Sequence, residues 1–188
     1  LVKIDLLGNR SLAVIRDALV AVHHNTGRLI DYELWDPISD PVTQELIRRG
    51  DTMGCFYVES PATRLLLKKL WTTMPQARRA HADVFEYLVV VSSIIRPAAN
   101  VYADDFIRRS HGHPYRSWHP LLDEVLAETH GIMVYQEDVM KVAVALGGFS
   151  VHDGDQLRKI LSKKHKERQL RDYQRQFYEG AAARDVHR

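Results

Sequence analysis

The stretch Tyr135-Gln136-Glu137-Asp138-Val139-Met140-Lys141-Val142-Ala143-Val144-Ala145-Leu146-Gly147-Gly148 sets the fold class. Val139, Val142 and Leu146 recur at the steps of one helix face, and the glycine pair ends the helix because glycine enters a left-handed cap without a Cβ penalty. Toward the C-terminus the helical pattern resumes over 153–162, with Leu157, Ile160 and Leu161 as core positions, and again over 166–183. Toward the N-terminus a helix opening at Asp83 carries Phe85, Leu88, Val91 and Ile95 until Pro97 stops it. Shorter helices are expected over 103–109 and 121–128, separated by a loop over 111–120 rich in Gly, His and Pro.

The first third reads the same way. Ser60-Pro61 opens a helix striped by Leu65, Leu66, Leu67 and Leu70, and Asp40-Pro41 caps another that Gly50 ends. Leu12, Ile15, Leu19 and Val22 mark a helix capped by Asn9 or Ser11 and closed by Gly27. Two segments read as β: the apolar run Cys55-Phe56-Tyr57-Val58, and the opening Leu1-Val2-Lys3-Ile4-Asp5-Leu6-Leu7-Gly8. The expected fold is mainly α, a single helical domain appended to the edge of a sheet whose other strands lie elsewhere. A start at Leu1 that runs straight into a strand suggests a piece of a larger gene product, with no targeting peptide.

Composition narrows the function classes. No apolar run in the 188 residues approaches the ~20 that a bilayer helix needs, so no membrane is expected. The single cysteine, Cys55, closes no internal disulfide and offers no thiolate cage, which makes a reducing cytoplasm the default. The net charge of +2 hides an asymmetry: residues 156–188 hold ten Lys or Arg against four Asp or Glu, while 1–155 hold 16 against 20. Arg158, Lys159, Lys163, Lys164, Lys166, Arg168, Arg171 and Arg175 crowd into one helical stretch, a density suited either to a polyanion or to a solvated helix face.

On the opening strand, alternation puts Lys3 and Asp5 on one face with Val2, Ile4 and Leu6 on the other. The plain reading is an edge-strand ion pair. An acid set among Ile4, Leu6 and Leu7 is nevertheless costly unless it faces a cleft, a cation or a metal, and a hard ion such as Mg2+ takes carboxylate oxygens. Among the histidines, His23-His24 cannot face one ion together, and His111, His113 and His119 sit in a loop, so core or surface roles are preferred to a zinc site. Asp153 and Asp155 fall at a helix start, where capping is the expected job. Tyr135 and Gln136 are candidates to touch template or nucleotide, or to serve as a helix-start core tyrosine with a polar neighbour. Arg64, Arg108 and Arg109 are candidates for a phosphate-facing surface or for plain solvation.

Five segments, in order, resemble one family. Lys3-Ile4-Asp5-Leu6-Leu7-Gly8 is similar to the last catalytic strand of the palm in the bacterial family C DNA polymerases, the DNA polymerase III alpha subunits. Phe56-Tyr57-Val58-Glu59-Ser60 resembles their FQ-x-ES segment, and Ile95-Arg96-Pro97 followed by Phe106-Ile107 and Arg109 their RPG region and the stretch after it. Gly131-Ile132-Met133-Val134-Tyr135-Gln136-Glu137-Asp138-Val139-Met140 resembles GI-x-x-YQE-x-VM, and Asp155-Gln156-Leu157-Arg158-Lys159 with Lys163-Lys164 resembles AD-x-LR(R/K)-x-x-x-KK. The chain departs from the pattern at Ala98-Ala99, where the family carries Gly after the proline, and at His152-Asp153 before Gly154, where it commonly carries Gly-Gly.

The resemblance implies a division into the terminal palm strand, 1–8, and a helical fingers domain, 9–188. It implies a DNA-directed DNA polymerase that adds deoxynucleoside triphosphates to a primer 3′ end by a two-metal mechanism. Asp5 falls on the family's third catalytic aspartate and would ligate Mg2+; Arg158 and Lys159 fall on its triphosphate-binding basic pair. Lys163 and Lys3 join them as candidate nucleotide-binding residues, while Lys164, Lys166, Arg168 and Tyr135 are candidates for primer-template DNA. The family's other two catalytic aspartates, an upstream Asp-x-Asp pair, are not in this sequence, so the fragment alone is expected to be inactive. Its partners would be DNA, nucleotides, the rest of the polymerase chain and, through regions outside this sequence, a sliding clamp. Two rival readings are a non-catalytic DNA-binding relic of such a polymerase and a helical interaction domain that meets no nucleic acid.

Overall fold

The caps written into the sequence set most of the helix boundaries. In a computed structural model that describes residues 8, 10–95, 100–161 and 166–186, ten α-helices follow one another: α1 (Arg10–Thr26), α2 (Pro41–Arg49), α3 (Pro61–Thr72), α4 (Gln76–Arg79), α5 (Val84–Ile94), α6 (Ala103–Ser110), α7 (Pro120–Val125), α8 (Gln136–Ala145), α9 (Val151–Leu161) and α10 (Glu167–Ala182). The Asp40 carboxylate accepts from the Thr43 amide at 2.7 Å at the start of α2, and Gly50 ends that helix in the left-handed conformation. Ser60 and Asp83 do the same work for α3 and α5, the latter accepting from the Phe85 and Glu86 amides at 2.7 and 3.1 Å. Each such cap satisfies amides that the first helical turn leaves unpaired, at about 1 kcal/mol apiece.

The main core is built where α3, α5 and α6 meet. Leu67, Leu70 and Trp71 from α3 pack with Val90, Val91 and Ile94 from α5 and with Phe106 and Ile107 from α6; Ile132 closes one side. Tyr87 sits at its edge, in edge contact with Trp71 at 5.4 Å between ring centroids. A second aromatic cluster fixes the C-terminal helix: Phe149 lies 5.9 Å from Tyr173 and 6.2 Å from Phe177, both on the inner face of α10. That packing is tight at glycine. A Cβ on Gly180 would fall on the Gly147 carbonyl oxygen, and one on Gly147 would come within 2.5 Å of the Phe177 ring.

The described residues contain no strand, and the mainly α fold is as the sequence indicates. The expected palm strand over 1–7 lies outside the described residues, as does the Pro97 stop. Cys55-Phe56-Tyr57-Val58, read as strand-like, is instead a pair of turns, with the Cys55 amide donating to Thr52 O and the Val58 amide to Cys55 O. Tyr57 takes φ 74° and is 69% exposed. With no strand among the described residues to offer this run a ladder, turns satisfy the Cys55 and Val58 amides; the buried Thr52 hydroxyl completes the arrangement by donating to Val58 O at 2.6 Å. The helix expected over 121–128 stops at Val125 and continues as a 3-10 turn, Ala127–Thr129. No side chain of α1 is buried; Ile15, Leu19 and Val22 form a half-exposed line, and Leu12 is exposed. No helix among the described residues is long and apolar enough to cross a membrane.

Candidate functional site

The hairpin α8–α9 is the structural centre of the basic region. Asp138, buried, turns its carboxylate back to accept from the Val134 and Tyr135 amides at 2.9 and 2.8 Å, which fixes where α8 begins. After the turn at Gly147-Gly148, Ser150 caps α9 by accepting from the Asp153 amide at 3.1 Å and donating to the Asp153 carboxylate at 2.6 Å. Gly154 lets the two helices close up: a Cβ there would meet the Met140 side chain at 2.9 Å. Asp153 therefore belongs to the cap, as expected. Asp155 does not, because α9 begins at Val151 and Asp155 lies inside it.

The return of α9 carries Arg158 back to the start of α8, with its guanidinium 3.5 Å from Gln136 Oε1 and 4.0 Å from a Glu137 carboxylate oxygen. On its own helix Arg158 donates to Asp155 Oδ1 from Nε at 3.0 Å and from Nη2 at 2.7 Å. Lys159 Nζ lies 2.6 Å from the other oxygen, Asp155 Oδ2. The Lys159 ammonium first, and then the Arg158 guanidinium, hold the Asp155 carboxyl below the usual carboxylate range. The side chains of Arg158 and Lys159 stay 26% and 50% exposed, so both cations remain within reach of an anion in solvent.

Beyond this pair, Lys166 and Arg168 stand exposed at the start of α10, and Arg171 and Arg175 follow on it. At about 100° per residue, Arg168, Arg171 and Arg175 share a stripe opposite Leu170, Tyr173 and Phe177, which face the protein. Asp172 contacts Arg175 at 3.5 Å and lowers the stripe's charge. Asp5, Lys3, Lys163 and Lys164 lie outside the described residues. Among the described residues no three or more His, Cys, Asp or Glu side chains converge as metal ligands, so the described residues present no Mg2+ ligand set by themselves.

Other candidates make contacts within the domain. Tyr135 packs its ring against the core cluster, and its hydroxyl is buried. Burial first, with the Glu128 and Asp138 carboxylates adding to it, pushes its pKa up to about 12. Arg64 donates to Gly50 O at 3.0 Å; Arg109 donates to His130 O at 2.9 Å and lies over the Tyr115 ring at 4.3 Å. Arg108 pairs with Asp105 at 3.0 Å. A cleft of about 420 Å3 lined by Arg78, Glu86, Tyr87, Phe106, Glu128 and His130 includes none of the residues read as functional. There burial, with Arg78 and Arg109 nearby, pushes His130 below the usual imidazole range.

With this geometry stands a match to a known family: the model of the bacterial DNA polymerase III alpha subunit finger domain covers residues 11–185. The chain belongs to that family. DNA polymerase III subunit alpha of Neisseria meningitidis serogroup B is 36% identical over 188 residues, which is 100% of this chain and 15% of the relative. The Chlamydia pneumoniae protein of the same name is 36% identical over 165 residues, 87% of this chain and 12% of its own length. That of Staphylococcus aureus strain Mu50 is 36% identical over 189 residues, covering 100% of this chain and 16% of the relative. The finger domain thus spans about one-seventh of such relatives. What sequence reasoning missed within it is the meeting of Gln136 and Glu137 with Arg158, and the use of Asp155. The spacing Asp155-x-x-Arg158-Lys159 was the available signal, since carboxylate and cation three and four residues apart meet on a helix.

Proposed function

We propose that this finger domain serves a DNA-directed DNA polymerase by binding the triphosphate of the incoming deoxynucleotide through Arg158 and Lys159. The observation that carries the reading is the α8–α9 hairpin, which brings Arg158 against Gln136 and Glu137 of the other segment and leaves Lys159 beside it on Asp155, both cations partly open to solvent. A triphosphate presents several oxygens to such a pair, and hydrogen bonds between charged partners are about twice as strong as neutral ones. Lys163 and Lys3 are proposed to add to the same ligand. Lys164, Lys166 and Arg168, continued by Arg171 and Arg175, are proposed to hold the phosphates of primer-template DNA. Residues 1–8 would be the end of the palm and 9–188 the fingers.

Asp5 is the proposed carboxylate ligand of Mg2+, which when bound would offset charge on the reacting phosphate oxygens. The remaining ligands, and any contact with a sliding clamp, would belong to other parts of the polymerase, in the cytoplasm, and this segment alone would not polymerise. The residues of this chain supply binding and orientation: Arg158 and Lys159 hold the phosphates, and the α10 stripe keeps the duplex against the fingers.

Arg158→Ala in the full-length polymerase tests the reading. The nucleotide KM is expected to rise by about 10- to 100-fold, the range for a lost hydrogen bond to a charged group, with kcat falling as well if the contact tightens in the transition state. An unchanged KM would reject it. Changing Arg168, Arg171 and Arg175 together to Ala should weaken DNA binding uniformly across sequences and flatten its dependence on salt, measured as the slope of log affinity against log salt. An unaltered slope would remove α10 from the DNA surface.

A further inference from the structure

Arg158 and Lys159 are consecutive, so their Cβ atoms leave α9 about 100° apart, and two long cations at that angle do not by themselves converge. In the structure they do converge, on one residue. Asp155 lies three residues before one and four before the other, and it gives each cation its own oxygen: Oδ1 to Arg158 at 2.7 and 3.0 Å, Oδ2 to Lys159 at 2.6 Å. We infer that Asp155 is a positioning residue of the nucleotide site, turning the two cations to one side of α9 before the triphosphate arrives. The inference rests on the reading of Arg158 and Lys159 as the triphosphate pair.

The exposure of Asp155 favours this role over a purely structural one. Solvent-facing ion pairs three and four residues apart on a helix contribute little to stability, and the Asp155 side chain is 31% exposed, so fold maintenance does not account for the arrangement. Gln136 Oε1, 3.5 Å from Arg158 Nη1, steadies the guanidinium from the other helix. A clamp already ordered spares the ligand the entropy of ordering two long side chains.

The test is single-nucleotide incorporation by the full-length polymerase carrying Asp155→Ala. The nucleotide KM is expected to rise by about 3- to 10-fold, the size set by ordering one or two flexible side chains on binding. The expected kcat stays within about twofold, and primer-template affinity and thermal stability are unchanged, as weak surface ion pairs require. Asp155→Glu, whose carboxylate still reaches both cations, should recover most of the loss. In an Arg158→Ala, Lys159→Ala background the same substitution should have no further effect, because the residue acts only through those two. An unchanged KM in Asp155→Ala, a lowered one, or an additive effect in the double background overturns the inference. If Arg158→Ala raises KM and Asp155→Ala does not, only the positioning role is lost; if Arg158→Ala also leaves KM unchanged, the nucleotide site itself is rejected.

Discussion

Asp5→Asn in the full-length polymerase is expected to lower nucleotide incorporation by about 10^2- to 10^3-fold, the scale of losing one preorganised electrostatic contact to the transition state. Primer-template affinity should stay close to that of the parent. Asparagine nearly matches aspartate in shape but cannot supply the anionic oxygen that a hard divalent cation requires, so the substitution removes charge without disturbing packing. The acid lies in an apolar stretch, Ile4-Asp5-Leu6-Leu7, where an unpaired carboxylate would cost several kcal/mol, so facing a cation gives it a reason to be there. Rapid-quench incorporation and DNA binding measured on the same preparation separate the two effects. Turnover like the parent's would reject Asp5 as a metal ligand, and a parallel loss of DNA affinity would indicate misfolding instead.

The second large effect is steric. Gly180→Ala should loosen α10 from the α8–α9 turn by about 2–3 kcal/mol, because the new methyl would occupy the position of the Gly147 carbonyl oxygen. Helix propensity alone predicts the opposite sign, a gain of about 1 kcal/mol for Ala over Gly inside a helix. Backbone contact wins here because the atom in the way is a backbone carbonyl oxygen with no rotamer to yield. The Phe149, Tyr173 and Phe177 cluster would open with it. Limited proteolysis should then cut at α10 well before the parent is cut, and thermal unfolding should shift down; a variant as resistant as the parent would show that α10 is not held at this contact.

The two substitutions also mark what the sequence made legible. Caps were readable because their chemistry is local: Asp40-Pro41, Ser60-Pro61, Asp83 and the Gly50 and Gly147-Gly148 stops act over three or four residues, and the helices begin and end beside them. The motif stretches over 56–60, 106–109, 131–140 and 155–159, on described residues, likewise needed no tertiary information. Cys55-Phe56-Tyr57-Val58 misled because a short apolar run does not reveal whether a partner strand exists. Tyr135, Arg64 and Arg109 could be read either way, since an aromatic or a guanidinium serves a polyanion and a backbone carbonyl with the same atoms; their contacts with the core, Gly50 and His130 join segments far apart in the chain, which spacing does not encode. The four-residue α4 has too little length for a periodic signal. Convergence of Arg158 on Gln136 depends on the hairpin closing at Gly154, a contact between helices that spacing along the chain does not encode.

The helix α1 runs for 17 residues without one buried side chain. Its amide protons consequently have only the local helix–coil equilibrium between them and exchange with solvent, while those of α3, α5 and α6 are shielded until the common core comes apart. Protection from deuterium should fall off sharply on passing from the core helices to α1, and any surface elsewhere in the polymerase that covers Ile15, Leu19 and Val22 would register first as slowed exchange along that single element.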